Sequence, residues 1–83
     1  MATVIQHNIM ATYTIVTENN GNVELTSFTS TRKRDIMKSF NRFINSMAKL
    51  PGYSVEWVRE GYARYTYFGE YGMLEGEYYI IRN

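Results

Sequence analysis

Between residues 32 and 50 the apolar positions recur every three or four residues. Ile36, Met37, Phe40, Phe43, Ile44 and Met47 form one stripe, while Lys38, Asn41, Arg42, Asn45 and Lys49 fall on the other side. That is the period of an α-helix with one buried face. Ser30 or Thr31 can cap its start through a side-chain hydroxyl, and Pro51 followed by Gly52 ends it. At 1.5 Å per residue the predicted helix is about 28 Å long.

Elsewhere the apolar period is two, the signature of strands. Residues 9–17 alternate Ile9, Ala11, Tyr13 and Ile15 against Met10, Thr12, Thr14 and Val16, and a second run extends from Val23 to Phe28 after Asn19-Asn20-Gly21. A three-residue loop ending in a left-handed Gly21 pairs Ile15 with Leu25 and Thr17 with Val23, uniting the apolar residues on one face. A two-residue Asn20-Gly21 loop pairs Val16 with Leu25 and mixes the faces, so the three-residue loop is the predicted register. Arg59-Glu60-Gly61 repeats the logic, pairing Trp57 with Ala63, Val55 with Tyr65 and Tyr53 with Tyr67. The last turn, Gly69-Glu70-Tyr71-Gly72, read as a four-residue loop, pairs Tyr67 with Leu74 and sets Arg64 opposite Glu77, a favourable cross-strand ion pair. A loop of Glu70-Tyr71-Gly72 alone is the other reading. Gly69, Gly72 and Gly76 read as turn or bulge residues. The order is ββαβββ, an α+β class with an antiparallel sheet of four to five strands and one amphipathic helix packed on one face, in a single domain over residues 1–83.

One helix is about 10–12 Å wide, whereas five strands span about 20 Å or more, so the sheet is only partly covered. In the predicted register the uncovered face carries Thr12, Thr14, Val16, Thr26, Val58, Thr66, Met73 and Ile81, interleaved with Phe28, Tyr62, Arg64, Phe68 and Tyr79. An aromatic patch of that kind marks contact with a partner or a second copy of the chain, unless twist and loops fold over it.

Composition narrows the chemistry. The chain has 83 residues, no Cys and one His, His7. Disulfide frameworks and thiolate metal sites are excluded. No apolar run is long enough to span a bilayer as a helix, and the start lacks a signal-peptide pattern, so a cytoplasmic protein is expected. A chain this short buries about 60–65% of its unfolded surface, so a generous aromatic core or oligomerisation must supply stability. No Ser motif, Cys nucleophile or phosphate loop is present. Glu75 and Glu77 share a strand face but read as solvated carboxylates. The expectation is a non-enzyme with no catalytic, cofactor or metal-binding residues.

Net charge is +1, but its distribution is uneven. Residues 1–52 hold six Lys/Arg against three Asp/Glu, and residues 53–83 hold three against five. Arg32, Lys33 and Arg34 crowd the first helical turn, where the helix dipole disfavours cations. With Lys38 and Arg42 they form a basic helix face, either a solvated surface or a contact for an acidic partner. Basic residues with exposed rings also suggest a small RNA- or DNA-binding module, although the glycine-spaced RNP pattern is absent around Tyr62–Phe68 and the carboxyl-terminal part is acidic.

The short Cys-free ββαβββ layout, the aromatic turns around Tyr62–Gly72 and the lack of catalytic residues resemble small phage-encoded inhibitors of host or defence machinery, such as anti-CRISPR and antirestriction proteins. The resemblance covers the whole chain at the level of architecture. It implies a protein that binds a macromolecule and inactivates it by occlusion, and it carries over no individual residue. The leading expectation is therefore a non-enzymatic interaction protein, as a homodimer, that binds a protein partner through the aromatic sheet face or the basic helix face. The nucleic-acid module is the alternative.

Overall fold

The computed structural model describes residues 11–83. Ile9 and Met10, read as the start of the first strand, lie outside the described residues. Strands β1 (Tyr13–Asn19) and β2 (Asn22–Ser30) form a hairpin, followed by the helix α1 (Lys33–Ala48). Then come β3 (Tyr53–Arg59), β4 (Tyr62–Gly69) and β5 (Gly72–Arg82). All pairings are antiparallel, and the five-stranded sheet runs β2-β1-β5-β4-β3. The predicted ββαβββ order and α+β class are what the chain adopts. Helix α1 links one edge strand, β2, to the other, β3, so it must cross the sheet. Its 16 residues, about 24 Å at 1.5 Å each, suffice for that crossing.

Ile36, Phe40 and Ile44 are the buried teeth of α1, one per turn, and they pack with Ile15, Ala63 and Tyr78 of the central strands. Phe43, Met47, Tyr13, Val55, Tyr65 and Ile80 close around this core while half-buried. Trp57, expected on the covered face, meets Phe40 edge-on at 5.9 Å but stays 46% exposed, because β3 is an edge strand. Arg32 is the N-cap residue and no side chain caps the helix; the Ser30 hydroxyl accepts instead from the Arg32 backbone N–H at 3.1 Å. The expected Ser30 or Thr31 cap is therefore not made.

The two later hairpins have the predicted pairings but close more tightly than expected, a bulge after Trp57 bringing Arg59 opposite Tyr62 and Gly69 pairing with Gly72. Trp57 faces Ala63, Val55 faces Tyr65 and Tyr53 faces Tyr67, while Tyr67 faces Leu74 and Arg64 faces Glu77. The first hairpin differs. Asn20 (φ 51°) and Gly21 (φ 84°) both take left-handed conformations, which makes a two-residue turn. Val16 thus pairs with Leu25 and Glu18 with Val23. That one-residue slip exchanges the faces of β2: Val23 and Leu25 turn away from the helix, at 55% and 64% exposed, and Phe28 turns toward it. A bulge between Thr14 and Val16 then absorbs extra residues of β2. Thr26 Oγ1 stabilises the bulge, donating to the Ile15 carbonyl at 2.8 Å and accepting from the Phe28 N–H at 3.2 Å.

Gly76 is neither a turn nor a bulge residue. It sits inside β5 between Asn19 of β1 and Tyr65 of β4. A Cβ there would lie 2.4 Å from the Glu18 carbonyl oxygen and from two ring carbons of Tyr65. The glycine provides a floor on which the Tyr65 ring lies, and from that ring a chain of aromatic contacts spreads across the covered face. Tyr65 stacks on Tyr78 at 4.5 Å, Tyr78 meets Phe43 edge-on at 5.2 Å, and Phe43 meets Phe28 at 5.6 Å. In the other direction Tyr53 lies 6.1 Å from Tyr65 and 4.6 Å from Tyr67. Such pairs add about 0.5–1.5 kcal/mol each beyond area burial. This is the aromatic core that a short, Cys-free chain requires. Among the described residues, no helix is long and apolar enough to cross a membrane.

Candidate functional site

The sheet face away from α1 is ordered in rows. One row crosses four strands as Glu56, Arg64, Glu77 and Glu18, with Val23 beyond on β2. The next holds Ser54, Thr66 and Glu75. These two rows line an open concavity of about 620 Å³. Four carboxylates and one guanidinium make it acidic, net −3. The Tyr62 hydroxyl, with Glu56 and Glu77 adding, raises the Arg64 guanidinium further above its ordinary range. Arg64 is thus a cation embedded among acids rather than an isolated basic contact.

Apolar residues flank the acidic rows on both sides. On one side Tyr62 pairs with Tyr79 and Val16 with Leu25. The Tyr79 hydroxyl donates to Glu18 Oε1 at 2.7 Å, and this bond is the first cause of its raised pKa. To make it, the ring reaches along β1 past Val16. Val16 is fully buried and Thr14 is 4% exposed. The expectation that this whole face is open is therefore corrected at its β1 centre, where the sheet's own side chains close over it.

On the other side is the β4–β5 hairpin end. Phe68 pairs with Met73 and Tyr67 with Leu74, and Glu70-Tyr71 make the turn between Gly69 and Gly72. Leu50 stands nearby, because the Leu50–Gly52 turn is tied to β4 by the Phe68 N–H donating to the Gly52 carbonyl at 2.9 Å. Gly52 has φ 84°, and a Cβ on it would sit 2.8 Å from the Phe68 carbonyl oxygen, so the turn needs glycine for both conformation and space. Tyr71 is 97% exposed and Phe68 61%. Met73, Leu74 and Leu50 are each more than two-fifths exposed. Phe68, Met73 and the turn residue Tyr71 thus gather exposed apolar side chains at one end of the open face, while Leu74, one residue on from Met73, points to the helix side.

The residues singled out by sequence thus divide among three places. Lys33, Arg34, Lys38 and Arg42 are exposed on α1, with Arg32 at its N-cap, and only Asp35 offsets them in the first turn. Tyr62, Arg64, Phe68 and Tyr79 are on the opposite, open sheet face. Phe28 belongs to neither: it packs on Phe43 and, with Ser39, Arg42 and Ser46, lines a small cleft of about 190 Å³ beside the helix. From sequence, Met73 carries only its place on the uncovered face, and Tyr71, Leu74 and Leu50 carry no site expectation. The signal for Tyr71 was an aromatic residue in a tight turn, where polar residues normally sit. No group of three or more His, Cys, Asp or Glu side chains that could hold a metal occurs among the described residues. Comparison with known protein families, curated proteins and solved structures found no match for this chain.

Proposed function

We propose that this protein is a non-catalytic interaction domain that binds another protein and occludes part of its surface. The contact would be the β4–β5 hairpin end together with the adjoining open sheet face. The observation that carries the reading is the exposed group of Phe68 and Met73, paired on the open face, with Tyr71 on the adjoining turn. From typical side-chain areas these three present on the order of 400 Å² of mostly apolar surface, a patch size that marks binding sites. The neighbouring rows can extend it toward the roughly 800 Å² that each partner buries in a stable complex. An aromatic residue standing clear on a hairpin turn suits insertion into a partner's pocket, as interface anchors do. The acidic rows beside it would select a partner with basic residues around that pocket.

Two readings from the sequence are less favoured. A homodimer joined face to face sets two surfaces of net −3 against each other, which weakens the pairing. A nucleic-acid module using both the helix cations and the sheet rings would need one strand to touch opposite sides of the molecule. The rings also lie among carboxylates, which repel phosphate. Occlusion, the action implied by the resemblance to phage-encoded inhibitors, fits a chain whose described residues offer an exposed surface of this kind. The test is affinity capture from native host lysate. Wild type should retain a stoichiometric protein, Phe68→Ser with Tyr71→Ser should lose it, and Lys38→Gln with Arg42→Gln should keep it. Capture of nucleic acid that salt removes, abolished by the helix substitutions, would replace this reading with the alternative.

A further inference from the structure

We propose that a notch at the other end of the sheet, where β5 outruns β4, docks an extended acidic peptide segment. β5 pairs with β1 through Arg82, but with β4 only as far as Tyr79, opposite Tyr62. Ile80, Ile81 and Arg82 therefore present a strand edge with no β4 neighbour, about 10 Å long at roughly 3.3 Å per residue. The start of α1, through Lys33 and Met37, and the Arg59–Gly61 turn wall a cavity of about 350 Å³ at this edge. Lys33, Arg59 and Arg82 line it against a single carboxylate, Glu60.

Two features identify the occupant. The first is the way the arginines are held. The Arg59 guanidinium carbon lies 4.8 Å from the centre of the Tyr62 ring, and that of Arg82 lies 6.0 Å from the centre of the Tyr13 ring. A guanidinium resting on a ring keeps its N–H donors free around the edge of its plane, where a carboxylate binds them in a fork. The rings also hold both side chains in advance, so less ordering is required on binding. The second feature is the strand edge itself. It offers alternating backbone donors and acceptors, which another extended backbone complements and a sugar–phosphate chain does not. Of the three tyrosine rings lining the cavity, Tyr13 and Tyr62 already carry a guanidinium, which leaves less aromatic surface for stacking a base. The site stands apart from the hairpin end proposed above, since it lies at the opposite end of β5, and neither proposal depends on the other.

The test is amide-shift mapping of the full chain, labelled with nitrogen-15. The probes are the capped pentapeptide Ac-EVEVE-NH2, its lysine counterpart Ac-KVKVK-NH2, and AMP. The acidic peptide should give saturable shifts at Gly61 and Ile80–Arg82, weakening as salt rises. Arg59→Met with Arg82→Met should weaken it by about tenfold or more, as expected for losing hydrogen bonds to a charged group. The double variant is read only with its spectrum elsewhere unchanged; wild type against the two peptides is decisive without it. No saturable shift at the notch with the acidic peptide, equal binding of the lysine peptide, or saturation of the notch by AMP would each overturn the proposal.

Discussion

Gly76→Ala probes the packing of the central strands more sharply than any truncation. Alanine is ordinarily the better residue inside a strand, because glycine leaves the unfolded chain about 0.4–1 kcal/mol more freedom to lose. Here the added methyl would fall 2.4 Å from the Glu18 carbonyl oxygen and from the Tyr65 ring carbons Cε1 and Cζ, well inside ordinary van der Waals contact of about 3.5 Å. The ring can tilt, although it then leaves Tyr78. The carbonyl cannot move, because it belongs to β1, which is held between β2 and β5. Overpacking costs about 1–3 kcal/mol, and a ladder hydrogen bond strained by the shift adds about 1. Net of the entropy gain, about 2–3 kcal/mol of destabilisation is expected. For a domain of this size that lowers Tm by about 10–20 °C. Gly69→Ala provides the contrast. Its Cβ would meet only the Tyr67 ring, at 2.6 Å, with no backbone atom among its nearest neighbours, and about 1 kcal/mol is expected. Circular-dichroism melts of both variants decide the matter. A Gly76→Ala protein as stable as wild type would mean that Tyr65 does not lie over β5 and that the β1-β5-β4 register is wrong.

Other outcomes follow from the same packing. Phe40→Ala removes a fully buried ring and should cost about 3–5 kcal/mol, a large part of the about 4–12 kcal/mol available to an 83-residue domain. Phe43→Ala, half-buried, should cost less, and urea midpoints in the reverse order would displace Phe40 from the core. Burial, with Tyr65 and Tyr53 adding, pushes the Tyr78 hydroxyl well above its ordinary pKa. Below pH 10 both folded and unfolded chains keep that proton. Above it the unfolded chain releases a proton that the folded chain retains, so stability falls by up to about 1.4 kcal/mol per pH unit until the folded pKa is passed. Burial of Tyr65 and the Tyr79–Glu18 hydrogen bond act in the same direction. Urea titrations at pH 10 to 12 should show a shallower loss for Tyr78→Phe than for wild type, and identical slopes would place Tyr78 in contact with solvent.

Local signals were legible and long-range ones were not. Ile36, Phe40, Phe43, Ile44 and Met47 mix three- and four-residue spacings, which a helix aligns and a strand does not. The Arg59–Gly61 turn and the Arg64–Glu77 pair state their registers within a few residues. At the first hairpin two local signals conflicted, face matching and turn chemistry. The Asn20-Gly21 turn prevailed, because both residues accept positive φ at little cost, and the bulge at Thr26 absorbed the mismatch. Phe28 consequently faces the helix and Val23 faces solvent. The insertion of β5 between β1 and β4 has no marker in sequence, since it rests on pairings some sixty residues apart. Two features depend on that insertion: the role of Gly76 under Tyr65, and the notch at Ile80–Arg82. The hairpin end was half legible. Phe68 reads as exposed from the strand pattern, whereas Tyr71 reads only as part of a turn, and its company with Leu50 arises only when the Gly52 turn docks on β4.

Site-specific photo-crosslinking tests the account most directly. A benzophenone amino acid is placed at Tyr71, and separately at Lys38 on the opposite side, in cells of the native host. The account predicts one discrete protein adduct from position 71 and none from position 38. No adduct at 71, with protein or nucleic acid crosslinked at 38, would contradict it and move the function to the basic helix.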